Sequence, residues 1–284
     1  MKKWYLVVGG GLGDAVREYF LHNPIWGKLP AIKEKYPDSF IRLISVCHNP
    51  QVEELFRYHP YLDDKLYFPY EYLSDDKQRE YKGDCVFMRN LAELFPLPWT
   101  QPPVYLSQED EKFIVGLELK SPYIVIHPFA GLGNHYGLAI DRYSGICEGL
   151  VNEGYNLYVI GATYNRTNQK SIQRNEEIWN LEIKGVHNLV DKLNARTACQ
   201  IIKNAWGFMG SHSCWSNVAG THYIPTVLLF PSHRTAYAQS RCPNLWTVNE
   251  HRKSDLLVVD TDLISTDEIT KKIVNHFKDL LHGK

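Results

Sequence analysis

The 284-residue chain lacks the features that mark several classes of protein. Its six cysteines form no C-x-x-C pair and suggest no disulfide framework, so we expect a reducing, cytoplasmic setting. The formal net charge is only -1, so no overall positive field attracts nucleic acid or an anionic membrane. Only five apolar residues separate Lys3 from the first glycine, which is too few for a signal-peptide core.

Charged residues are missing from one long internal segment, 204–233, which contains no Lys, Arg, Asp or Glu. Its length would suit a membrane span, but glycine, serine, asparagine, histidine and proline recur throughout it. Hydrocarbon would solvate those residues poorly. We therefore expect no membrane span and predict that this segment is buried in the protein or lines a site.

Apolar runs along the chain alternate between strand-like and helix-like spacing, which favours parallel sheets with helices on both faces. Prolines at positions 96, 98, 102 and 103 interrupt this α/β rhythm, which restarts after them. We predict a first Rossmann-like domain over 1–103 and a second over 104–264. Helical spacing also marks the final segment, 265–284, and this helix is a candidate to pack back on the first domain.

The glycine-rich stretch Val7–Phe20 does not meet the dinucleotide fingerprint G-x-G-x-x-G. Counted from Gly9 or Gly11, the third glycine position holds Asp14 or Val16, and no Lys-Ser/Thr pair follows to form a P-loop. What remains is a tight turn from strand to helix that presents the Asp14 carboxylate. That carboxylate can cap the helix or accept a proton from a hydroxyl group, and the local sequence leaves both roles open.

Several segments resemble the heptosyltransferase-like family of inverting glycosyltransferases and follow one another in that family's order. The first half carries GGLGDAV and then LPAIKEKYPDSFIRLISVCHNPQVEELFRYHPYLDDKLYF. The second half carries SPYIVIHPFAGLGN, IDRYSGICEGLVNEGYNLYVIGA and NLVDKLNARTACQIIKNAWGFMGSHSCWSNVAGTHYIPTVLLFPS. The resemblance implies the GT-B type of fold, in which two Rossmann-like domains face each other across a cleft. The first would bind the acceptor and the second the nucleotide-sugar donor.

The resemblance also implies that Asp14 is the general base, and we expect Gly11, Gly13 and Arg17 to line the acceptor side of the cleft. Two loops that follow apolar strands would bind the nucleotide sugar, because backbone N–H groups at a helix start attract anions. Their predicted binding residues are Gly131, Gly133, Asn134, His135 and Tyr136 in the first loop, and Ser211, His212, Ser213 and Asn217 in the second. Neither loop contains an acid and no D-x-D pair ends a strand, so we expect no cofactor and no essential metal.

The chain departs from the family pattern at these donor loops. Tyr136 stands near the position of a family lysine, and His212, Cys214 and Asn217 replace an acid, a glycine and a histidine. An ADP-heptose donor therefore does not follow, and we expect a different nucleotide sugar.

Structural roles stay open for some of the same residues. Gly131 and Gly133 would suit a plain turn, Ser211 and Ser213 would suit helix caps, and His127 would suit a hydrogen-bonded strand end. A metal cluster of His212, Cys214 and His222 would have unusual spacing, and no base is evident to make Cys214 a nucleophile.

The sequence thus predicts a cytoplasmic enzyme that moves a sugar from a nucleotide diphosphate to an acceptor hydroxyl with inversion. The acceptor would be a saccharide, a glycolipid or another hydroxyl compound. One alternative is a viral-type transferase that modifies nucleic acid, with Arg17, Lys28, Lys33 and Lys35 as a phosphate track. The others are a sugar-nucleotide epimerase on the same fold and a non-catalytic nucleotide-sugar-binding protein.

Overall fold

The computed structural model describes residues 2–8, 12–17, 19, 26–45, 50–67, 97–98, 100–128, 138, 140–165, 170–171, 182–230, 232 and 256–282. The chain divides into two units, Met1–Ser107 and Gln108–Lys284. The division lies just after the segment that contains the prolines at positions 96, 98, 102 and 103.

The first unit contains a parallel three-stranded sheet, β1–β2–β3, among its described residues. Its elements are β1 (Lys3–Val8), α1 (Leu12–Arg17), a 3-10 turn (Trp26–Lys28), α2 (Leu29–Lys35), β2 (Phe40–Ser45), α3 (Pro50–Phe56) and β3 (Asp64–Tyr67). Apolar spacing in the sequence predicts a helix or strand that overlaps each of these elements except the 3-10 turn, and for α1 it predicts Asp14–His22. The sequence also predicts a strand over Cys85–Arg89 and a helix from there to Phe95, and both lie outside the described residues.

Aromatic rings hold the proline-rich segment against the first unit. The Tyr19 ring packs edge-on against Trp26, with 5.1 Å between centroids, and its hydroxyl donates to the Pro103 carbonyl at 2.8 Å. Farther along, the Tyr105 ring lies 4.7 Å from the ring of buried His59. These contacts fix residues 103–105 to the first unit.

The second unit follows with a longer alternation of helices and strands. Its elements are α4 (Gln108–Gly116), β4 (Tyr123–His127), α5 (Ile140–Asn152), β5 (Asn156–Val159), β6 (Tyr164–Asn165), β7 (Lys170–Ser171), β8 (Val186–Asn188), α6 (Ala195–Lys203), β9 (Gly207–Gly210), α7 (Cys214–Thr221), β10 (Thr226–Phe230), β11 (Leu256–Asp260) and α8 (Thr266–His282). Short apolar runs in the sequence predict β4, β9 and β10 with these same bounds. The sequence pattern does not indicate β6, β7, β8 or β11.

Six parallel strands of this unit form one sheet in the order β11–β10–β9–β4–β5–β8. The first strand along the chain, β4, lies in the middle, and the chain winds to one side through β5 and β8 before crossing to β9. This is the doubly wound order of a Rossmann-like sheet, and its direction reverses between β4 and β9. The predicted α/β fold class is confirmed.

The C-terminal helix α8 belongs to the second unit. Its residues Ile269, Ile273 and Phe277 are fully buried in the core that also contains Ile124 of β4 and Leu150 of α5. Its apolar stripe covers the second unit's own sheet and helix α5. The prediction that this helix also packs back on the first domain stays a prediction.

A buried ion pair joins α4 to α6. The Arg196 guanidinium donates to both carboxylate oxygens of Asp110, at 2.7 and 3.1 Å, and Asn194 Nδ2 donates to the same carboxylate at 2.7 Å. Both charged side chains are almost completely buried. The pair fixes the helix that begins the second unit.

The uncharged segment predicted to be buried forms β9, α7 and β10, and most of its described residues are inaccessible to solvent. Among the helices that the structure describes, none combines the length and the apolar character needed to cross a bilayer.

Candidate functional site

The reversal of strand order between β4 and β9 brings the ends of two predicted loops together. His127, the last residue of β4, is in register with Gly210, the last residue of β9. Directly beyond this pair, the Ser211 amide donates to the His127 carbonyl at 3.1 Å. A Cβ atom on Gly210 would lie 2.0 Å from that carbonyl oxygen, so only glycine permits the two backbones to approach this closely.

Three side chains, at the end of β4, directly after β9 and in α7, carry polar atoms that are buried without a hydrogen-bond partner among the described residues. They are His127 Nδ1, Ser211 Oγ and Asn217 Oδ1. The exposed fractions of these residues are 7%, 0% and 5%. Buried polar groups in folded proteins are almost always paired, so each of these atoms can accept a bond from water or from a ligand.

Helix α7 begins immediately after this strand end. Ser213 is its N-cap, and its hydroxyl accepts from the Ser216 amide at 3.5 Å while the Ser216 hydroxyl accepts from the Ser213 amide at 2.9 Å. The prediction that Ser213 caps a helix is thus confirmed, whereas Ser211 lies too far before the helix to do so. His212 lies between them and is half-buried. The start of α7 supplies the positive end of a helix dipole at the carboxyl edge of the sheet.

Burial keeps the imidazoles of His127 and His222 and the thiol of Cys214 uncharged near neutral pH. Desolvation lowers the pKa of His127 to about 3 and, together with nearby Lys203, lowers the pKa of His222 to about 4. Desolvation also raises the pKa of the Cys214 thiol to about 12, which makes that thiol a poor nucleophile. Within the described residues, no group of His, Cys, Asp or Glu side chains could hold a metal ion.

The proposed general base, Asp14, belongs to the first unit, where α1 follows β1. Asp14 is the third residue of α1, which begins at Leu12, so the helix start does not place Asp14 at the N-cap. An acidic residue in the first turn is still favoured by the helix dipole. Gly13 and Arg17 belong to the same helix. Gly11 lies outside the described residues.

The first donor loop also falls outside the described residues. Gly131, Gly133, Asn134, His135 and Tyr136 all belong to it, and their predicted roles stay predictions. The structure does describe both elements that bracket the loop, because β4 ends at His127 and α5 begins at Ile140. The loop therefore leaves the sheet at the same edge as Ser211.

Three of the four basic residues proposed as a nucleic-acid track have described contacts or burial within the first unit, and the side chain of Arg17 lies outside what the structure describes. The Lys33 ammonium donates to the Asp63 carboxylate at 2.6 Å and to the Ser39 carbonyl at 2.8 Å. Lys28 is buried, and the Lys35 ammonium lies over the Tyr36 ring. Lys33 is thus paired with a carboxylate and Lys28 is withdrawn from solvent, and a nucleic-acid partner is not supported.

No protein-family model matches the chain, and a search of curated proteins finds no match. Solved structures do match. The E. coli ADP-heptose LPS heptosyltransferase II is 14% identical and has a TM-score of 0.60, over 97% of this chain and 99% of that chain. A glycosyl transferase of family 9 from Veillonella parvula is 11% identical with a TM-score of 0.63, over 100% and 98%. The E. coli heptosyltransferase WaaC with ADP is 9% identical with a TM-score of 0.55, over 96% and 99%.

These likenesses show the fold, which is that of the heptosyltransferase-like, GT-B glycosyltransferases. The resemblance predicted from the sequence motifs is confirmed at this level.

Sequence reasoning treated His127 as an ordinary strand-end histidine and did not place it in the site. The order of the strands in the sheet is what identifies His127 as a neighbour of Ser211. In a doubly wound sheet the first and fourth strands are neighbours, so the last residue of β4 must lie beside the residue that follows β9.

Proposed function

We propose that the protein is a cytoplasmic, inverting glycosyltransferase that takes a sugar from a nucleotide-diphosphate donor and transfers it to an acceptor hydroxyl. The observation that carries this proposal is the reversal of strand order between β4 and β9, with the buried start of α7 beside it. Ligands of open α/β sheets bind at this position. The structural neighbours that share the fold are glycosyltransferases, and one of them was solved with ADP.

In the proposed reaction Asp14 is the general base. The acceptor oxygen attacks the anomeric carbon, its proton passes to the Asp14 carboxylate, and the bond from that carbon to the diphosphate breaks. The new bond forms on the face opposite the leaving group, so the configuration inverts.

Stabilisation of the leaving diphosphate is assigned to backbone N–H groups of the loops 129–136 and 211–217 and to the dipole of α7. Segment 204–233 contains no acid that would repel the diphosphate. We propose that neither a cofactor nor a divalent metal takes part.

The test is a thermal-shift screen of ADP- and UDP-sugars, followed by product analysis with candidate saccharide acceptors. A ligand that binds the native state raises the melting temperature by mass action. With the donor that binds, Asp14→Asn should retain the thermal shift and lose turnover. Asp38→Asn, which changes an exposed carboxylate in a turn of the same unit, is the matched control and should retain both.

Three outcomes would contradict the proposal in different ways. Full turnover in Asp14→Asn would remove the base from the mechanism. Conversion of the nucleotide sugar without any acceptor would indicate an epimerase. Binding without turnover under every condition would indicate a binding protein.

A further inference from the structure

We infer that Tyr19 is a positioning residue for Asp14, because its hydroxyl ties the chain at the end of helix α1 to segment 100–107, which leads into the second unit. This role rests on the proposed function, in which Asp14 takes the proton of the acceptor hydroxyl. Tyr19 itself lies two residues after Arg17, the last residue of α1, and acts through the position of that helix.

Helix α1 is too short to hold its own position. It has six residues, Leu12–Arg17, which is less than two turns, and an isolated helix of that length is unstable in water. Its residues Leu12, Ala15 and Val16 are buried in the first unit. The place of Asp14 therefore depends on this packing and on the contacts that hold the two ends of the helix.

Aromatic rings hold the side chain of Tyr19 in one orientation. The residue is 2% exposed, and its ring packs edge-on against Trp26, Phe56 and His59 at centroid distances of 5.1, 5.2 and 5.8 Å. The rings of Trp26 and Phe56 are stacked on each other at 5.0 Å. A ring packed against three others keeps its orientation, so its hydroxyl oxygen keeps one position.

The segment that Tyr19 contacts is stiff and is itself attached to the first unit. The Tyr19 hydroxyl donates to the Pro103 carbonyl at 2.8 Å. Pro103 follows Pro102, and the proline rings fix the backbone φ angle at both positions. The Thr100 amide also donates to the Gly27 carbonyl at 3.0 Å. The hydrogen bond of Tyr19 therefore joins the end of α1 to a firm support.

The same segment leads directly into the second unit. Four residues, 104–107, separate Pro103 from Gln108, where helix α4 begins, and the Asp110 carboxylate of α4 is held by the buried Arg196 guanidinium. Loss of the Tyr19 hydrogen bond would release the end of α1 from this segment and leave the packing of the ring in place.

The test is Tyr19→Phe, which removes the hydroxyl and keeps the ring. Tyr123→Phe is the matched control, because Tyr123 is also buried and its hydroxyl donates to the Ile201 carbonyl at 2.9 Å in the second unit. Turnover is measured as release of ADP or UDP from ADP- and UDP-hexoses in the presence of saccharide acceptors. Melting curves and amide hydrogen exchange are measured for the same variants.

We expect Tyr19→Phe to lower kcat by about three- to tenfold and to leave the KM for the donor unchanged, because the base is displaced while the donor site is intact. Tyr123→Phe should keep the wild-type kcat. Both variants should melt a few degrees below wild type, since each loses one hydrogen bond. Peptides covering 12–19 should exchange faster in Tyr19→Phe than in wild type or in Tyr123→Phe.

A double variant separates positioning of the base from every other effect on turnover. Tyr19→Phe combined with Asp14→Asn should be no slower than Asp14→Asn alone, because Tyr19 acts only through the base. A further fall of the same size in the double variant would contradict that role.

Two other results would overturn the inference while leaving the proposed function standing. A wild-type kcat in Tyr19→Phe would show that the hydrogen bond does not position the base. Equal falls in kcat for Tyr19→Phe and Tyr123→Phe would show that turnover follows stability alone. Wild-type protein that transfers no sugar from any of the conjugates would instead contradict the proposed function, and the inference would fall with it.

Discussion

Replacement of Gly210 by alanine tests the close approach of β4 and β9 at the reversal of strand order. The added Cβ would lie 2.0 Å from the His127 carbonyl oxygen and 2.7 Å from its carbon. An ordinary contact is about 3.5 Å, so the strand ends must separate by more than about 1 Å. Because the obstructing atoms belong to the backbone of a central strand, no side-chain rotation can relieve the clash.

The expected cost is about 3–5 kcal/mol, at the upper end of what single overpacking substitutions produce. For a unit of this size, that loss lowers the melting temperature by about 10 °C. Differential scanning calorimetry of the whole chain measures the change. Gly116→Ala is the control, since no atom lies within 4 Å of the added Cβ, and it should melt close to wild type. A Gly210→Ala variant with wild-type melting would refute the described approach of the two strands.

Two further predictions concern buried ionisable side chains. Asp110→Ala leaves the Arg196 guanidinium buried without its carboxylate and should destabilise the protein by about 3–5 kcal/mol in urea denaturation, whereas breaking an exposed ion pair should change little. Burial holds the pKa of His59 and His127 near 3 and that of His222 near 4. The unfolded chain therefore binds protons first, so stability is complete above pH 6.5 and falls as the pH drops toward 4. Each histidine contributes about 2 kcal/mol of this loss at pH 5. His59→Phe should reduce the slope of stability against pH, and an unchanged slope would contradict its neutral burial.

The central strands could be predicted because their composition reflects their burial. Tyr123–His127, Gly207–Gly210 and Thr226–Phe230 are short runs between turn residues, and all their residues are buried. A strand that is covered on both faces is mostly apolar along its whole length, and such a run can be identified from the sequence alone.

The outer strands β8 and β11 left a weaker pattern. β8 has three residues and none is fully buried, while β11 has one buried residue out of five. Edge strands are covered on fewer sides, so their composition overlaps with that of loops. Only the pairing with a neighbouring strand identifies them.

The start of helix α7 could be predicted from the sequence, and the polar contacts beside it could not. The Ser213 cap can be inferred from a serine that precedes a helix pattern. The position of Ser211 beside His127 could not be predicted in this way. The two residues are distant in sequence and become neighbours only through the strand order. The buried Asp110–Arg196 ion pair could not be predicted either. Acidic residues in the first turn of a helix, as in Glu109–Glu111, ordinarily face solvent.

Hydrogen exchange measured with and without the nucleotide sugar that binds tests the central claim most directly, because it reports where the donor lies. The account predicts slower exchange at the peptides covering 127–138 and 211–217. Peptides from α8 should exchange as they do in the free protein. Protection that is confined to other parts of the chain, with 211–217 unchanged, would contradict the assignment of the donor site to the β4–β9 reversal.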